Sequence, residues 1–221
     1  MGILNRKLTN SLRINLVAAI SQKSKISEQY RTIRTNFLSS VNGENYQTIV
    51  MTSPKRGEGK STTVANFAIA LAQQGKKILL IDADLRSPGS SLQSAFNIGN
   101  SIGLSNVLIG RNLMEDAIYN TDIRGLDLLT SGPVPHNPAE LLGSKSMDIV
   151  IDTVNKNYDV VLFDTPPVFE VSDAKIIANK CDGLILVLRW GKTKNEDAIE
   201  AKRLLESASA KLLGVILNDK T

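Results

Sequence analysis

Ser53-Pro54-Lys55-Arg56-Gly57-Glu58-Gly59-Lys60-Ser61-Thr62 directly follows the apolar run Thr48-Ile49-Val50-Met51. This order predicts a strand that turns through a glycine-rich loop into a helix. Gly57 and Gly59 let backbone N–H groups surround an anion with no Cβ in the way, and Lys60 can reach the terminal phosphates of a nucleotide. Ser61 then supplies a hydroxyl for Mg²⁺. The stretch therefore predicts a loop that binds nucleotide phosphates.

Two further apolar runs support this interpretation, because each ends in an acidic residue. The support is needed, since the usual loop begins with glycine six residues before its lysine, where this chain has Pro54. The runs are Ile78-Leu79-Leu80-Ile81-Asp82 and Val160-Val161-Leu162-Phe163-Asp164. Open α/β folds place their ligands at the carboxyl edge of a parallel sheet. We therefore expect three strand ends to converge on one MgATP.

Apolar strand patterns alternate with amphipathic helical patterns along the chain. This alternation predicts an α/β fold, with a mostly parallel central sheet that helices cover on both faces. An irregular and partly helical stretch is expected across residues 87–120. The first helix, 26–41, has an apolar stripe at spacings of three and four that comprises Ile26, Tyr30, Ile33, Phe37 and Val41. The strands are predicted near 47–53, 77–82, 126–129, 160–164, 184–188 and 213–217, and the other helices near 59–74, 138–155, 172–180 and 194–208.

Length and composition indicate one domain of enzyme size. The 221 residues, of which 42% are hydrophobic, suffice to bury a sizeable core. Cys181 is the only cysteine, so a disulfide framework and a cysteine-paired metal cluster are excluded. Its apolar flanks predict a buried structural thiol. The cytosol is the compartment that this cysteine usage favours.

The net charge of +4 is concentrated at the start of the chain. Residues 1–25 carry five basic residues and no acidic one, whereas residues 26–221 are close to neutral, so no direct nucleic-acid partner is expected. We divide the chain into a basic N-terminal arm, 1–25, and a single domain, 26–221. The arm is either a solvated, partly disordered segment or a contact for anionic lipid or an acidic partner. Its longest apolar run, Leu16–Ile20, is too short to span a membrane, so membrane attachment is expected through a partner.

The segment Asp82-Ala83-Asp84-Leu85-Arg86 carries the chemistry expected at the strand end. Phosphoryl transfer needs a phosphate cradle, a metal held by carboxylate and hydroxyl ligands, and a carboxylate that accepts the proton of the nucleophile. Asp82 and Asp164 suit the metal shell together with Ser61, and Asp84 suits the base. Arg86 is either a ligand for phosphate or carboxylate or a plain salt-bridge partner. For the aspartates, the alternative is a capping role at the following helix.

Three segments of this chain resemble the motifs of bacterial tyrosine kinases, which belong to the same superfamily as the septum-site and chromosome-partition ATPases. They are the loop with Lys60, the segment Asp82-Ala83-Asp84-Leu85-Arg86-Ser87-Pro88, and Phe163-Asp164-Thr165-Pro166-Pro167. Two more segments resemble the kinase branch specifically. These are Glu28, Arg31 and Arg34, which match its oligomer-interface motif, and 130–142, which resembles its loop and helix beside the active site.

The resemblance implies an ATP-dependent protein-tyrosine kinase that regulates capsule or exopolysaccharide synthesis. Lys60, Asp82, Asp84 and Asp164 would be catalytic, with ATP and Mg²⁺ as cofactors. It also implies a homo-oligomeric ring, in which the helix face of Glu28, Arg31 and Arg34 contacts another subunit. Without the resemblance, that face reads as an ordinary solvated helix surface. The residues expected to bind the nucleotide are Lys55, Arg56, Gly57, Glu58, Gly59, Lys60, Ser61, Thr62 and Asn218, the last at the adenine.

The partners implied by the resemblance are a separate transmembrane activator, protein tyrosine substrates and a cognate tyrosine phosphatase. The kinase would then be cytoplasmic and peripheral at the inner face of the membrane through its activator. Members of the family usually end in a flexible tail with several tyrosines, whereas this sequence ends at Thr221. We expect either a sequence that lacks this tail or an enzyme that acts only on other proteins.

A different class of protein stays open at this point. A partition or positioning ATPase, which binds membrane or DNA and phosphorylates no protein, would also explain the loop and the basic arm. Lys55 stands where those ATPases place a second lysine, so Lys55 alone cannot distinguish the two branches. The segments at 28–34 and 130–142 favour the kinase. A scaffold that binds ATP without transferring phosphate is the third possibility, and the intact lysine and aspartates weigh against it.

Overall fold

A computed structural model describes residues 14–41, 46–87 and 91–219. Within them, seven strands form one sheet. The strands are β1 (Thr48–Thr52), β2 (Ile78–Asp82), β3 (Ile118–Asn120), β4 (Leu126–Leu129), β5 (Val160–Asp164), β6 (Gly183–Arg189) and β7 (Lys211–Asn218). Their order in the sheet is β3-β4-β2-β5-β1-β6-β7. Only the β3–β4 pair is antiparallel, and every other neighbouring pair is parallel.

Ten helices are assigned in the described ranges, and most of them connect parallel strands. Parallel neighbours require such crossovers, since a tight turn cannot bring the chain back to the starting edge. The helices are α1 (Val17–Ile20), α2 (Lys25–Ser40), α3 (Lys60–Ala72), α4 (Ser91–Ala95), α5 (Leu104–Leu108), α6 (Met114–Ala117), α7 (Pro138–Gly143), α8 (Lys145–Asn155), α9 (Asp173–Ala178) and α10 (Asn195–Leu205).

The three strands at the middle of the sheet, β2, β5 and β1, are buried along their whole length. Their side chains alternate between two hydrophobic clusters, one on each face of the sheet. Val50 and Phe163 belong to one cluster and Met51 and Leu162 to the other. Burial on both faces explains why these strands read as continuous apolar runs. The predicted α/β fold with a mostly parallel, doubly covered sheet is confirmed.

The register of β2 and β5 places their acidic ends side by side. Asp82 pairs with Asp164 across the parallel ladder, and Met51 of β1 pairs with Asp164 on its other side. All three strands therefore end at one level of the sheet. The loop that follows β1 leaves the sheet next to the two carboxylates, as the sequence predicted.

Several element boundaries differ from the sequence-based expectations. The single helix predicted at 138–155 is two helices, because Ser144 between them is extended (φ −72°, ψ 164°) and its hydroxyl donates to the Leu141 carbonyl. The antiparallel strand β3 lies inside the stretch expected to be irregular and helical. In α2, Tyr30 and Phe37 are buried, whereas Ile26 at the start of the predicted stripe is 45% exposed.

Part of the predicted basic arm packs onto the body. Ile14 and Ala18 are buried, and Asn66 of α3 accepts from the Ala18 N–H and donates to the Asn15 carbonyl. Residues 1–13 lie outside the described residues, so the boundary at residue 25 stays a prediction. None of the helices in the described ranges is long and apolar enough to cross a bilayer.

Candidate active site

The loop between β1 and α3 has the backbone of an anion cradle. Gly57 and Gly59 adopt left-handed conformations, with φ of 79° and 84°, which residues with a Cβ rarely adopt. Gly59 is the N-cap of α3, so the loop delivers the chain directly to a helix N-terminus. The free N–H groups and the dipole at such a terminus favour phosphate. The loop therefore has the backbone geometry that the prediction requires, and its binding of phosphate stays a prediction.

Asn218 at the end of β7 packs directly on this loop. Its side-chain amide donates to the Glu58 carbonyl at 2.9 Å. A Cβ added to Gly59 would lie 1.9 Å from the Asn218 Nδ2, so only glycine allows this approach. The structure thus brings Asn218 to the candidate nucleotide site, and its contact with adenine stays a prediction.

Lys60 is enclosed at the start of α3, and its ammonium group pairs with Asp164. The side chains of Lys60 and Asp164 are only 10% and 3% exposed. The same ammonium group lies 3.3 Å from the Ser61 Oγ. Asp82 is also buried and neighbours Asp164 in the sheet. The lysine and the three residues predicted to arrange the metal therefore meet in one place.

Asp84 lies in the turn that follows β2. One carboxylate oxygen accepts from the Arg86 N–H and the other from the Ser87 hydroxyl, each at 3.2 Å. The Asp84 N–H donates in turn to Asp82 at 3.2 Å. The two aspartates therefore order this turn, and Asp84 stays half-buried at the carboxyl edge of the sheet. Pro88, the last residue of the matching motif, lies outside the described residues.

Arg86 has a defined partner that the sequence did not identify. Its guanidinium donates two hydrogen bonds, of 2.8 and 2.9 Å, to Asp173 at the first turn of α9. The Asp173 side chain has no exposed surface. The hydrogen bond to Asp173 raises the pKa of Arg86 above its ordinary value. Of the two roles left open, the structure favours the salt bridge.

Lys55 and Arg56 of the loop pair with acidic residues on different parts of the fold. Lys55 donates to Asp197 in the first turn of α10 at 2.6 Å, and Arg56 donates to Glu170 after β5 at 2.6 Å. The hydrogen bond and charge of Glu170 raise the pKa of Arg56. Both side chains are more than half exposed, so each pair contributes little to stability.

Glu58 differs from its neighbours in the loop because its side chain is buried. Its Oε1 accepts from the Thr193 hydroxyl at 3.0 Å, and burial raises the pKa of this carboxyl. Thr193 lies between β6 and α10 and was not singled out by sequence reasoning, nor were Glu170 and Asp197. Asp173 alone had a signal, since Ser172-Asp173 precedes a helical pattern.

The segment 130–142, which resembles the loop and helix beside the kinase site, leaves β4 at the same sheet edge as Asp82. Asn100 donates to the Gly132 carbonyl and accepts from the Gly132 N–H, both at 2.9 Å. The Ser105 hydroxyl donates to the Pro133 carbonyl at 2.7 Å. These bonds fix the part of the segment that precedes α7. His136 in this segment is exposed.

The charged residues of the predicted interface motif have different environments along α2. Glu28 is exposed and pairs with Arg31, which also donates to the Gln22 carbonyl at 2.7 Å. Arg34 instead donates to the Ala70 carbonyl of α3 at 2.9 Å and is partly buried. Arg34 thus joins two helices of the same subunit. A role for the three residues between subunits stays a prediction.

Comparison with known proteins identifies the family. Residues 46–197 match the AAA_31 family, described as an AAA domain. Tyrosine-protein kinase YwqD of Bacillus subtilis (strain 168) is 46% identical over 217 residues, which cover 98% of this chain and 91% of that protein. The chain belongs to the bacterial tyrosine-protein kinase family. The putative tyrosine-protein kinase CapB of Staphylococcus aureus is 39% identical over 89% of this chain and 85% of its own.

Comparison with solved structures agrees with this assignment. The chimerical protein CapA2B2 superposes with a TM-score of 0.88 at 39% identity, over 93% of this chain and 89% of its own. The kinase domain of the Escherichia coli tyrosine kinase ETK also reaches 0.88, at 31% identity, over 94% of this chain and 80% of its own.

The septum-site-determining protein MinD of Pyrococcus horikoshii, complexed with Mg-ADP, represents the competing branch. It superposes with a TM-score of 0.66 at 29% identity, over 78% of this chain and 70% of its own. The common fold of both branches is thus visible, and the similarity is greater to the kinases. The predicted class of enzyme, a protein-tyrosine kinase, is confirmed, and the partition ATPase is not favoured.

Proposed function

We propose that this protein transfers the γ-phosphoryl group of MgATP to tyrosine hydroxyls of other proteins. The observation that carries the proposal is the enclosed Lys60, which lies between a glycine-rich loop and the strand-end carboxylate of Asp164. Phosphoryl transfer depends mainly on positioning and on stabilising negative charge. The loop, the ammonium group and the neighbouring acids supply these elements in one place.

The residues present fit a nucleotide and a magnesium ion. The left-handed Gly57 and Gly59 give the loop the backbone of an anion cradle, and α3 directs its N-terminus into the loop. Ser61, Asp82 and Asp164 offer the oxygen ligands that Mg²⁺ prefers, directly or through water. When bound, the ion would neutralise charge that develops on the phosphates. Lys60 would stabilise the transferring phosphoryl group itself.

Asp84 is the residue that we assign as general base. Its carboxylate is half-buried beside Asp82, and the Arg86 N–H and the Ser87 hydroxyl fix its orientation. It would accept the proton of the tyrosine hydroxyl while the phenolic oxygen forms its bond to phosphorus and the bond to ADP breaks. The ion pair of Arg86 with the buried Asp173 anchors the same turn to α9.

The biological setting follows from membership of the family. We infer that the kinase regulates capsule or exopolysaccharide synthesis and acts in the cytoplasm at the inner face of the membrane. A transmembrane activator would hold it there, and a cognate tyrosine phosphatase would reverse its reaction. The exposed Glu28 and its partner Arg31 on α2 support the proposed ring, because they are accessible to another subunit.

The experiment is transfer of labelled γ-phosphate from ATP to a tyrosine-containing polymer. It is run with and without a peptide from the cytoplasmic tail of a candidate activator. We expect phosphotyrosine with the wild type and none with Lys60→Met. Asp84→Asn should reduce transfer by about 10²-fold or more while ATP still binds. Asp152→Asn, on the exposed face of α8, is the matched control and should retain activity.

The competing function gives a different result in the same assay. A positioning ATPase would release free phosphate in the presence of lipid or DNA and leave the polymer unlabelled. That outcome would refute the kinase proposal and leave Asp84 without the role assigned to it.

A further inference from the structure

The order of the strands gives the candidate site two different sides. The phosphate loop follows β1, and the strands that end in Asp82 and Asp164 lie on one side of β1. On the other side lie β6 and β7, which end at Arg189 and Asn218. The predicted metal ligands therefore lie on the β2 and β5 side of the loop. The ends of β6 and β7 are left for the nucleoside, as the predicted adenine contact of Asn218 requires.

Glu58 makes hydrogen bonds to the end of β7 and to the loop that follows β6. Its carbonyl accepts from the Asn218 amide at 2.9 Å, and its side chain accepts from the Thr193 hydroxyl at 3.0 Å. The Thr193 Oγ1 also accepts from the Arg189 N–H at 2.8 Å, which fixes the start of the loop between β6 and α10. The Arg189 guanidinium reaches the Gly57 carbonyl at 3.3 Å. One loop residue therefore connects the phosphate cradle to β7 and to the β6–α10 loop.

The carboxylate of Glu58 is poorly suited to the phosphates themselves. It adds negative charge to a loop whose N–H groups attract anions, and the residue is only 6% exposed. Its Oε2 is buried and has no hydrogen-bond partner within the described part of the chain. The bond to Thr193 directs the side chain away from the side of β1 where Asp82 and Asp164 lie. These features point to a role at the nucleoside end of the site.

We propose that Glu58 is a positioning residue for the nucleoside of ATP. Its side chain holds Thr193, and with it the β6–α10 loop, at the fixed distance from the phosphate loop that an adenosine needs. The inference rests on the proposed function, because it takes ATP as the phosphoryl donor. It assigns no contact between Glu58 and the phosphates or the metal.

The test compares a ligand that has a nucleoside with one that lacks it. Binding of ATP and of inorganic tripolyphosphate, both with Mg²⁺, is measured by calorimetry for the wild type, Glu58→Ala and Thr193→Val. We expect the Kd for ATP to rise about tenfold in Glu58→Ala, the size of one lost hydrogen bond, and at least as much in Thr193→Val, which also loses the acceptor of the Arg189 N–H. The Kd for tripolyphosphate should stay within about twofold.

Two further variants separate positioning from loss of structure. Glu58→Gln keeps an oxygen that accepts from Thr193, so its affinity for ATP should remain near that of the wild type. Thr153→Val removes a hydroxyl that bonds the Ile149 carbonyl in the distant α8 and should change neither affinity. The Glu58→Ala and Thr193→Val effects should add only in part in the double variant, because both remove the Glu58–Thr193 bond, while Thr193→Val also removes the acceptor of the Arg189 N–H.

Kinetics give a second readout. In Glu58→Ala, the KM for ATP should rise while kcat at saturating ATP stays close to the wild-type value.

An equal loss of affinity for ATP and tripolyphosphate would overturn the proposal, because Glu58 would then only support the loop. Unchanged affinity for ATP in both variants would also overturn it. If the wild type bound neither ligand, the proposed kinase function would be overturned as well. That result differs from one in which the wild type binds ATP and only the role of Glu58 fails.

Discussion

Lys60 and Asp164 form an ion pair that the protein almost completely encloses. Their side chains are 10% and 3% exposed, although they come from the phosphate loop and from a strand 104 residues further along the chain. A buried pair of this kind is costly to break, because the remaining charge has neither water nor a partner. The pair therefore affects the stability of the protein as well as its chemistry.

We predict that Lys60→Met lowers the free energy of unfolding by about 3 kcal/mol, since the buried carboxylate of Asp164 loses its partner. The methionine has a similar length, so loss of packing contributes little. Urea titration followed by circular dichroism measures the change. Lys180→Met is the matched control, because its partner Asp148 is 51% exposed and can return to water. Equal destabilisation by both variants would show that the enclosure of Asp164 has no special effect.

The ion pair of Arg86 with Asp173 leads to a second prediction. Asp173 has no exposed surface and Arg86 is 35% exposed, so only the carboxylate depends on its partner for solvation. Arg86→Ala should lower the free energy of unfolding by about 2 kcal/mol, a value reduced for the solvent at Arg86. Arg86→Lys should recover only part of this, because lysine cannot make the two parallel bonds.

The same urea titrations check this prediction. Arg203→Ala is the control, since Arg203 makes a similar two-bond pair with Glu200 at the surface of α10. No measurable change is expected for it. Full stability in Arg86→Lys would mean that a point charge suffices, and that the geometry of the pair has no importance.

The buried thiol of Cys181 predicts a pH dependence. Burial raises the pKa of this thiol, so the folded protein holds the proton at pH values where an unfolded chain has begun to release it. Stability should therefore fall as the pH rises above about 8.5, the ordinary pKa of cysteine. Cys181→Ala should show a smaller decline over the same range. Urea titrations at pH 7, 8, 9 and 10 measure both proteins.

A chemical probe tests the same thiol independently. At pH 8, a disulfide reagent should modify native Cys181 on the order of 100-fold more slowly than the unfolded chain, because the thiolate is the reactive form. Rapid modification of the native protein would contradict the buried, protonated thiol.

The central strands could be predicted because burial on both faces leaves a simple pattern. The middle residues of β1 and all but the last residue of β2 and β5 are apolar, and an aspartate ends β2 and β5 where they reach the carboxyl edge. The site residues on these strand ends were therefore found with the strands. By contrast, β3 is three half-exposed or exposed residues at the sheet edge, too short for any period to be visible.

The side-chain partners of the site could not be predicted from the sequence. Asp173, Thr193 and Asp197 lie 87, 135 and 142 residues from the side chains that they bond. Such pairs depend on strand order and on the paths of loops, which local periodicity does not contain. The burial of Glu58 has the same origin, because a glutamate in a glycine-rich loop looks exposed in the sequence.

Gly57 and Gly59 allow a controlled comparison within the phosphate loop. Both have left-handed backbones, so Gly57→Ala and Gly59→Ala should each cost about 1 kcal/mol in conformational strain. Their surroundings differ, because a Cβ at Gly57 meets nothing within 4 Å, whereas one at Gly59 would lie 1.9 Å from the Asn218 Nδ2. Gly59→Ala must therefore displace Asn218 or the loop.

We predict that the affinity for ATP falls about tenfold more in Gly59→Ala than in Gly57→Ala, since only the former loses the bond from Asn218 to Glu58. Calorimetry with MgATP measures the two Kd values. Asn218→Ala provides the reference, because it removes the amide and leaves the glycine unchanged. If Asn218→Ala binds ATP like the wild type, the effect at Gly59 comes from the backbone of the loop, and the predicted adenine contact of Asn218 is wrong.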